Sequence, residues 1–477
     1  MDAREFKRFG YECIDWIADY LEHADRYPVL SRAAPGGIRG RLAEESPERG
    51  EPMEDILADF HDIVLPGITH WQHPRFFAYF PATTSGPSIL GELLSAGLGV
   101  NAMLWQTSPA ATELEETVMG WLAGLLGLPE GFKGVIQDTA STATLCALLC
   151  ARERATDFGV NENGFLQGGG ALRVYTSTEG HSSVAKGARI AGFGARNVVS
   201  VNVDGSYAMD PADLKRCIER DLAAGHRPCC VVATVGTTSS TAIDPLGMIG
   251  EVAGRHGLWF HVDAALAGSA AILPEKRWIL DGVERADSFV FNPHKWLFTN
   301  FDCSAFFCRH PDILTSVFAI QPEYLRTDLD PQVVNFRDWG IQLGRRFRAL
   351  KLWFVLRYYG RDGLRELLRA HIGLAEEFLT WVERNPDFEL MAPVPLNTVC
   401  FRFNPEGSSL SEERLEELNG NLMNEVNASG RIFITHTKLG GRFCLRMSIG
   451  QLRTTKRDVA EAWEILEKST VVQGWKG

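Results

Sequence analysis

LWFHVDAALAGSAAILPEKRWILDGVERADSFVFNPHKWLF (258–298) decides the fold. It holds two short apolar strands, LWFHVD (258–263) and DSFVFN (287–292), separated by one crossover's length of chain. Working outward, more strands of the same kind come into view. They are GVIQ (134–137), LRVYTS (172–177), NVVSVNV (197–203), PCCVVATVG (228–236) and SAFFCR (304–309). Helical patterns such as TATLCALLCARERA (142–155) and PLGMIGEVAGRHG (245–257) lie between several of them. Strands alternating with helices predict an α/β fold: a mostly parallel, doubly wound sheet with helices on both faces. Such sheets bind ligands beyond the carboxyl ends of their strands.

The flanks differ in character. Residues 1–85 form a helical front segment. Phe6, Phe9, Cys13, Ile14, Trp16, Ile17, Tyr20 and Leu21 mark one helix face, a Pro/Gly-rich stretch follows, and a second helix is predicted from Met53 to Val64. This segment is too thin to bury its own apolar faces and is expected to pack on another surface, such as a second subunit. Residues 86–350 are expected to form the large domain and 351–477 a small C-terminal α+β domain. In the latter, helices over 351–360 and 363–384 precede strands over 397–404, 431–437 and 441–450 and a helix over 455–468.

Composition removes other classes. With 48 basic and 60 acidic residues the net charge is −12, a surface that repels nucleic acid. No run of about 18 apolar residues points to a membrane span, and the first residues lack a signal peptide's apolar core, so the expected location is cytoplasmic. The ten cysteines form no CxxC and read as reduced packing residues. His70 and His73 lack a third ligand, so no metal is expected, and the triplet Gly168–Gly170 lacks the Lys-Ser/Thr of a P-loop.

Four features fall at ends of predicted strands. The small hydroxyl residues Thr139, Ser141 and Thr142 start a helix after GVIQ, as either a plain N-cap or a phosphate seat built from backbone N–H groups and hydroxyls. His181 follows LRVYTS. Asp263 ends LWFHVD among small and apolar residues, where a carboxylate needs a cation or donor facing it. Lys295, 295 − 263 = 32 residues later, follows DSFVFN, and an amine in such a place suits a Schiff base. A pyridoxal phosphate enzyme needs these parts together: an amine for the aldehyde, a helix start for the phosphate, and a carboxylate that keeps the pyridine nitrogen protonated.

THWQHPRFFAYFP (69–81), VIQDTASTATL (135–145), HVDAALAGS (261–269), FNPHKWL (291–297) and LGRRFRALKLWFVLR (343–357) carry a resemblance. The chain resembles the pyridoxal-phosphate-dependent aromatic L-amino acid decarboxylases, group II of fold type I, from the front helices to about residue 450. The resemblance implies decarboxylation of an aromatic L-amino acid to an arylalkylamine by an obligate homodimer with shared active sites. It makes Lys295 the covalent anchor of the cofactor, Asp263 the partner of the ring nitrogen, Ala265 the floor under the ring and His181 the group stacked above it. Thr139, Ala140, Ser141, Asn292 and His294 would surround the phosphate, and Thr237 would lie nearby. Trp71, Tyr79, Phe80, Pro81, Ala82 and Gly344 would shape the substrate pocket, with Asn101 and Met103 arriving from the partner subunit.

Tyr324 would protonate Cα after carbon dioxide leaves. Related aldehyde synthases often carry Phe there, and oxidative deamination is the alternative outcome; a histidine-type decarboxylase is a second alternative. Ala82 in place of a threonine, Met103 in place of an aromatic and Leu266 in place of a tyrosine remove partners for a ring hydroxyl. Substrates resembling tryptophan or phenylalanine are therefore expected.

Overall fold

In a computed structural model of the chain, residues 1–165, 170–320 and 328–476 are described. They group into two compact units: Ala82–Gly373 with Met391–Cys400, and Met1–Pro81 with Leu374–Leu390 and Phe401–Gly477.

The larger unit is built on seven strands: β1 (Lys133–Gln137), β2 (Leu172–Ser177), β3 (Val198–Val201), β4 (Arg227–Thr234), β5 (Trp259–Asp263), β6 (Ser288–Phe291) and β7 (Ser304–Cys308). Their order is β1-β7-β6-β5-β4-β2-β3. Pairings from β3 through β6 are parallel, and β7 runs antiparallel to both its neighbours. The expected α/β architecture is therefore present. Cys229, Cys230, Val231, Val232 and Ala233 of β4 are all buried, as a central strand covered on both faces requires. The helix Ala140–Ala155 buries Ala143, Cys146, Ala147, Leu148, Cys150 and Ala151 in a cluster with Val135, Val174, Val232 and Val290. A side chain such as Leu148 contributes roughly 1.5–3 kcal/mol by this burial. Strand β3 is shorter than the run 197–203: Asn197 ends a 3₁₀ turn, and Val203 pairs only as an isolated bridge with Met209.

The smaller unit opens with the helix Ala3–His23, whose N-terminus is closed by a capping box between Asp2 and Glu5. Trp16 of that helix meets Phe60 edge-on at 5.0 Å. The helix predicted from Met53 to Val64 is α-helical through Asp59 and continues as a π turn over Phe60–Val64. Four strands, β8 (Phe388–Leu390), β9 (Thr398–Phe403), β10 (Thr435–Leu439) and β11 (Arg442–Ser448), pair in the order β10-β11-β9-β8. Around them Phe378, Phe388, Phe401 and Trp463 form an aromatic cluster with centroid spacings of 5.0–6.2 Å. The strand expected over 431–437 begins only at Thr435. Phe433 instead exchanges backbone bonds with the loop before it, donating to Arg75 O at 3.2 Å and accepting from Phe77 N–H at 2.9 Å. No helix among the described residues is long and apolar enough to cross a membrane.

Candidate active site

The carboxyl edge of β5 and β6 gathers the chemistry. Asp263 is the last residue of β5, paired with Thr234 on β4 and Val290 on β6, and is 3% exposed. The single hydrogen bond to its carboxylate among the described residues comes from Ala265 N–H at 3.0 Å. The chain then folds against β6: Ala264 N–H donates to Val290 O at 2.9 Å, and Asn292 N–H to Ala265 O at 3.0 Å. Gly268 permits this approach, since a Cβ there would collide with Phe291 Cβ. Lys295 lies one loop on, in the short helix Pro293–Trp296, with its N–H donated to Asn292 O at 2.9 Å. The carbonyls of His294 and Lys295 both accept from Thr83 N–H, next to Ala82, at 3.1 and 3.3 Å. Asp263 and Lys295 are thus fixed by backbone bonds on adjacent strand ends.

His181 caps the helix Ser182–Ile190 after β2, and its ring is solvent-accessible. Nδ1 accepts from Ser183 N–H at 3.2 Å, which leaves the ring proton on Nε2. Burial of the surrounding loop lowers its pKa; Asp263 raises it, and Lys295 and Lys186 lower it. The field of both Asp263 and Lys295 therefore reaches this ring, and the three residues form one electrostatic cluster. His294 is also neutral, pushed down to about 3 by burial and by Lys295. Its Nδ1 accepts from Cys303 N–H at 2.9 Å, so its Nε2 is a donor.

Thr139 is the N-cap of the helix Ala140–Ala155, its Oγ1 accepting from Thr142 N–H at 3.4 Å. The N–H groups of Ala140 and Ser141 make no hydrogen bond among the described residues. The capping and anion-seat readings are thus compatible, because the cap leaves two donors open. Asn292 accepts from Ser304 Oγ at 2.6 Å. Thr237 is fully buried, its hydroxyl 3.2 Å from Ser240 Oγ and accepting from Ala242 N–H at 3.0 Å.

Asn101, Met103 and Gly344 are neighbours within the larger unit. Asn101 Oδ1 accepts from Arg345 N–H at 3.0 Å, Asn101 Nδ2 is 3.5 Å from Met103 Sδ, and a Cβ on Gly344 would sit 3.8 Å from Asn101 Nδ2. Trp71, Tyr79, Phe80 and Pro81 belong to the smaller unit. There Trp71 stacks on Tyr79 at 5.9 Å, Tyr79 meets Phe433 edge-on, and the Arg446 guanidinium lies 4.4 Å from the Phe80 ring centroid. Tyr324 lies outside the described residues, as do Gly168 and Gly169. His70 is bonded to Tyr20 at 3.0 Å, and no metal-holding cluster occurs among the described residues.

Two features went unread in the sequence. Arg345 is buried against Glu115 at 2.6 Å and donates to Ile136 O at 2.9 Å, tying the Asn101–Gly344 cluster to β1. Its only sequence signal is a charged pair, Arg345-Arg346, beside a glycine. His261 is the other, two residues before Asp263 on the same strand.

The residues present fit a planar anionic cofactor with a ring nitrogen. A buried carboxylate keeps acceptor capacity open, two helix-start N–H groups are open to an anion, and Thr176, Ser177 and Thr234 hold buried hydroxyls without partners among the described residues at the same sheet edge. Comparison with known proteins agrees. The pyridoxal-dependent decarboxylase conserved domain matches residues 35–404. A phenylacetaldehyde synthase of Arabidopsis thaliana is 44% identical, covering 98% of this chain and 96% of that one. A tryptophan decarboxylase of Camptotheca acuminata is 43% identical over 98% and 95% of the two chains. A crystal structure of Oryza sativa TDC with PLP and tryptamine superposes with a TM-score of 0.96 at 37% identity, covering 100% and 99%.

Proposed function

The chain belongs to the pyridoxal-dependent decarboxylase family, and on that premise we propose that it decarboxylates aromatic L-amino acids to arylalkylamines and carbon dioxide. It is a pyridoxal-phosphate-dependent carboxy-lyase. The observation that carries the reading is the pairing of a buried, underused carboxylate at Asp263 with Lys295 on the next strand end.

When bound, pyridoxal phosphate supplies an aldehyde that captures amines and a protonated ring that accepts the electron pair left at Cα. The chain's residues do the rest. Lys295 Nζ would hold the cofactor through its amine, and Asp263 would hold the proton at the ring nitrogen, because a buried carboxylate gains most from a cation beside it. Ala265 presents a small floor and His181 a flat, neutral ring, so the cofactor is held without a second positive charge competing for Asp263. Thr139, Ala140, Ser141, Asn292 and His294 receive the phosphate through neutral donors, with Thr237 beside them. Tyr324 delivers the proton to Cα.

Trp71, Tyr79, Phe80, Pro81, Ala82 and Gly344 shape the pocket for the aromatic ring, and Asn101 and Met103 complete it from a partner subunit. None of Ala82, Met103 and Gly344 offers a strong partner to a ring hydroxyl, which favours tryptophan- and phenylalanine-like substrates. The homodimer is supported in the larger unit by the exposed row Leu90, Leu93, Leu94 and Leu98 on the helix Gly86–Leu98, and in the smaller by exposed Phe6, Tyr11 and Ile14. None of the ten cysteines forms a disulfide, which suits the reducing cytoplasm.

A second reading, oxidative deamination to an aldehyde, has a specific support: the Arabidopsis relative at 44% identity is a phenylacetaldehyde synthase. Product mass spectrometry separates the two. The cofactor-loaded protein is incubated separately with L-tryptophan, L-phenylalanine, L-tyrosine, L-DOPA and L-histidine. Amine without peroxide is expected from an aromatic acid; aldehyde with peroxide establishes the second reading, and turnover of L-histidine alone overturns the aromatic pocket.

A further inference from the structure

Ser85 stands at the N-cap of the helix Gly86–Leu98, yet its side chain makes no capping hydrogen bond. Serine is favoured at that position because its hydroxyl accepts from a first-turn N–H, so a serine that forgoes the bond is engaged elsewhere. Here the hydroxyl donates to Phe298 O at 2.7 Å. Two residues earlier, Thr83 Oγ1 accepts from Phe298 N–H at 2.9 Å. Both backbone polar groups of one residue are thus met by hydroxyls from one short segment. Thr83, Ser85 and Phe298 are all buried, at 0, 1 and 0% exposure.

The conformation of Phe298 explains the arrangement. Its φ is +54°, in the left-handed region, which a bulky residue enters only where its surroundings over-determine it. Its ring is packed between Tyr359 and His371, with centroids 6.1 and 5.9 Å away. Those rings fix the side chain; the two hydroxyls fix the peptide groups on either side of it.

Phe298 closes the turn that carries Lys295. The helix Pro293–Trp296 is one turn long, held by Lys295 N–H to Asn292 O at 2.9 Å and Leu297 N–H to Pro293 O at 3.0 Å. A single turn is marginal by itself, so its geometry is set at its ends. The amino end is tied to the sheet through Asn292 N–H and Ala265 O. The carboxyl end is tied to the segment 83–85: Thr83 N–H donates to both His294 O and Lys295 O, and the two hydroxyls hold Phe298. Were Phe298 to relax to a negative φ, the turn before it would rotate and carry the lysine with it.

We propose that Thr83 and Ser85 are positioning residues for Lys295: their hydroxyls hold Phe298 in its left-handed conformation and so fix the one-turn helix on which the lysine stands. The inference rests on the reading of Lys295 as the residue that holds the cofactor.

The test is a double-mutant cycle with Lys295, read by cofactor binding rather than by turnover. Thr83→Val removes the hydroxyl with little change of shape and keeps the N–H that faces His294 and Lys295. The dissociation constant of pyridoxal phosphate is measured by equilibrium dialysis. The rate of its covalent attachment to Lys295 is followed by borohydride reduction and peptide mass spectrometry. In the otherwise native chain Thr83→Val is expected to weaken cofactor binding about tenfold and to slow attachment by about the same factor. In the Lys295→Ala background, where there is no amine left to place, it is expected to change affinity by less than about twofold. Thr83→Ser, which keeps the hydroxyl, is expected to restore both readouts to within about twofold of native. Ser85→Ala, which frees the other side of Phe298, is expected to repeat the pattern of Thr83→Val. An equal loss of affinity in both backgrounds makes the two hydroxyls packing features and overturns the proposal, as do native binding and attachment in Thr83→Val. If borohydride leaves no adduct on Lys295 of the native chain, the reading of Lys295 fails, and this inference with it. Should Thr83→Val not fold, Ser85→Ala carries the same cycle, and native values there overturn the proposal.

Discussion

Each edge of the seven-stranded sheet holds an aspartate, and the two are equipped very differently. Asp287 precedes β6 at the amino edge. It accepts from Arg154 Nη1 at 2.8 Å, from Phe260 N–H at 2.7 Å, and pairs with His310 Nε2 at 2.9 Å. Burial pushes its pKa up, but His310, Arg154 and the Phe260 amide outweigh it and hold the carboxyl below its usual range. Asp263 ends β5 at the carboxyl edge with one amide bond to its carboxylate, and among the described residues the hydroxyls of Thr176, Ser177 and Thr234 at that edge have no partner. The same residue type in the same sheet is thus complete at one edge and incomplete at the other. Completeness marks a structural carboxylate; a shortfall in a buried place marks one reserved for a ligand.

That contrast breaks most readily at the lysine. Lys295→Ala is expected to lower decarboxylation at least about 10⁴-fold while leaving the urea midpoint near native, because the amine serves chemistry and not the fold. Asp263→Asn should follow, with kcat down about 10²-fold or more and a nearly native melting temperature. Asp287→Ala is the mirror case. It should destabilise the chain by about 3–5 kcal/mol, leaving Arg154 and His310 without their acid, yet spare turnover per folded molecule. A large stability loss at Asp263 with none at Asp287 would reverse the assignment of the two edges.

Acid titration sharpens the comparison. His261 is depressed to about 4 and His294 to about 3, while an unfolded imidazole titrates near 6.5. Below about pH 6.5 the unfolded chain takes up protons that the folded chain refuses, so stability must fall with pH, by roughly 1.4 kcal/mol per unit for each such histidine. Asp287 acts in the same sense but lower, its contribution present above the unfolded carboxyl range and lost as pH falls through its depressed folded value. Urea midpoints from pH 7.5 to 5 should therefore decline, and less steeply in His261→Phe. A midpoint that rises on acidification would contradict the neutral state of these rings. The smallest effect belongs to Thr139→Ala, about 1 kcal/mol from the lost cap. The open amides of Ala140 and Ser141 should keep cofactor affinity close to native.

The central strands were legible because each is an apolar run closed by polar or small residues, and LRVYTS matches β2 residue for residue. The site was legible for the same reason: Asp263 and Lys295 stand where those runs stop. What escaped the sequence depends on contacts far along the chain. Arg345 meets Glu115 across 230 residues, and nothing local to either announces the pair. The apolar Ile432 and Phe433 look like a strand, yet Phe433 bonds a loop more than 350 residues earlier. His261 was in view within HVDAA, and counting two residues back along the strand face would have found it. Tyr324, proposed as the residue that decides between amine and aldehyde, lies outside the described residues.

The antiparallel direction of β7 has a kinetic meaning. A parallel neighbour would need a crossover to the far edge, whereas β6 and β7 are joined by Asn292–Cys303 on one edge alone. That connection is clipped near its ends, His294 N–H to Cys303 O at 3.2 Å and Cys303 N–H to His294 Nδ1 at 2.9 Å. Lys295 therefore hangs inside a small closed ring of chain, and closing a short ring leaves it little space to explore. An amine held on so short a tether keeps a high local concentration at the strand ends, one that dissolved amines cannot match at ordinary concentrations.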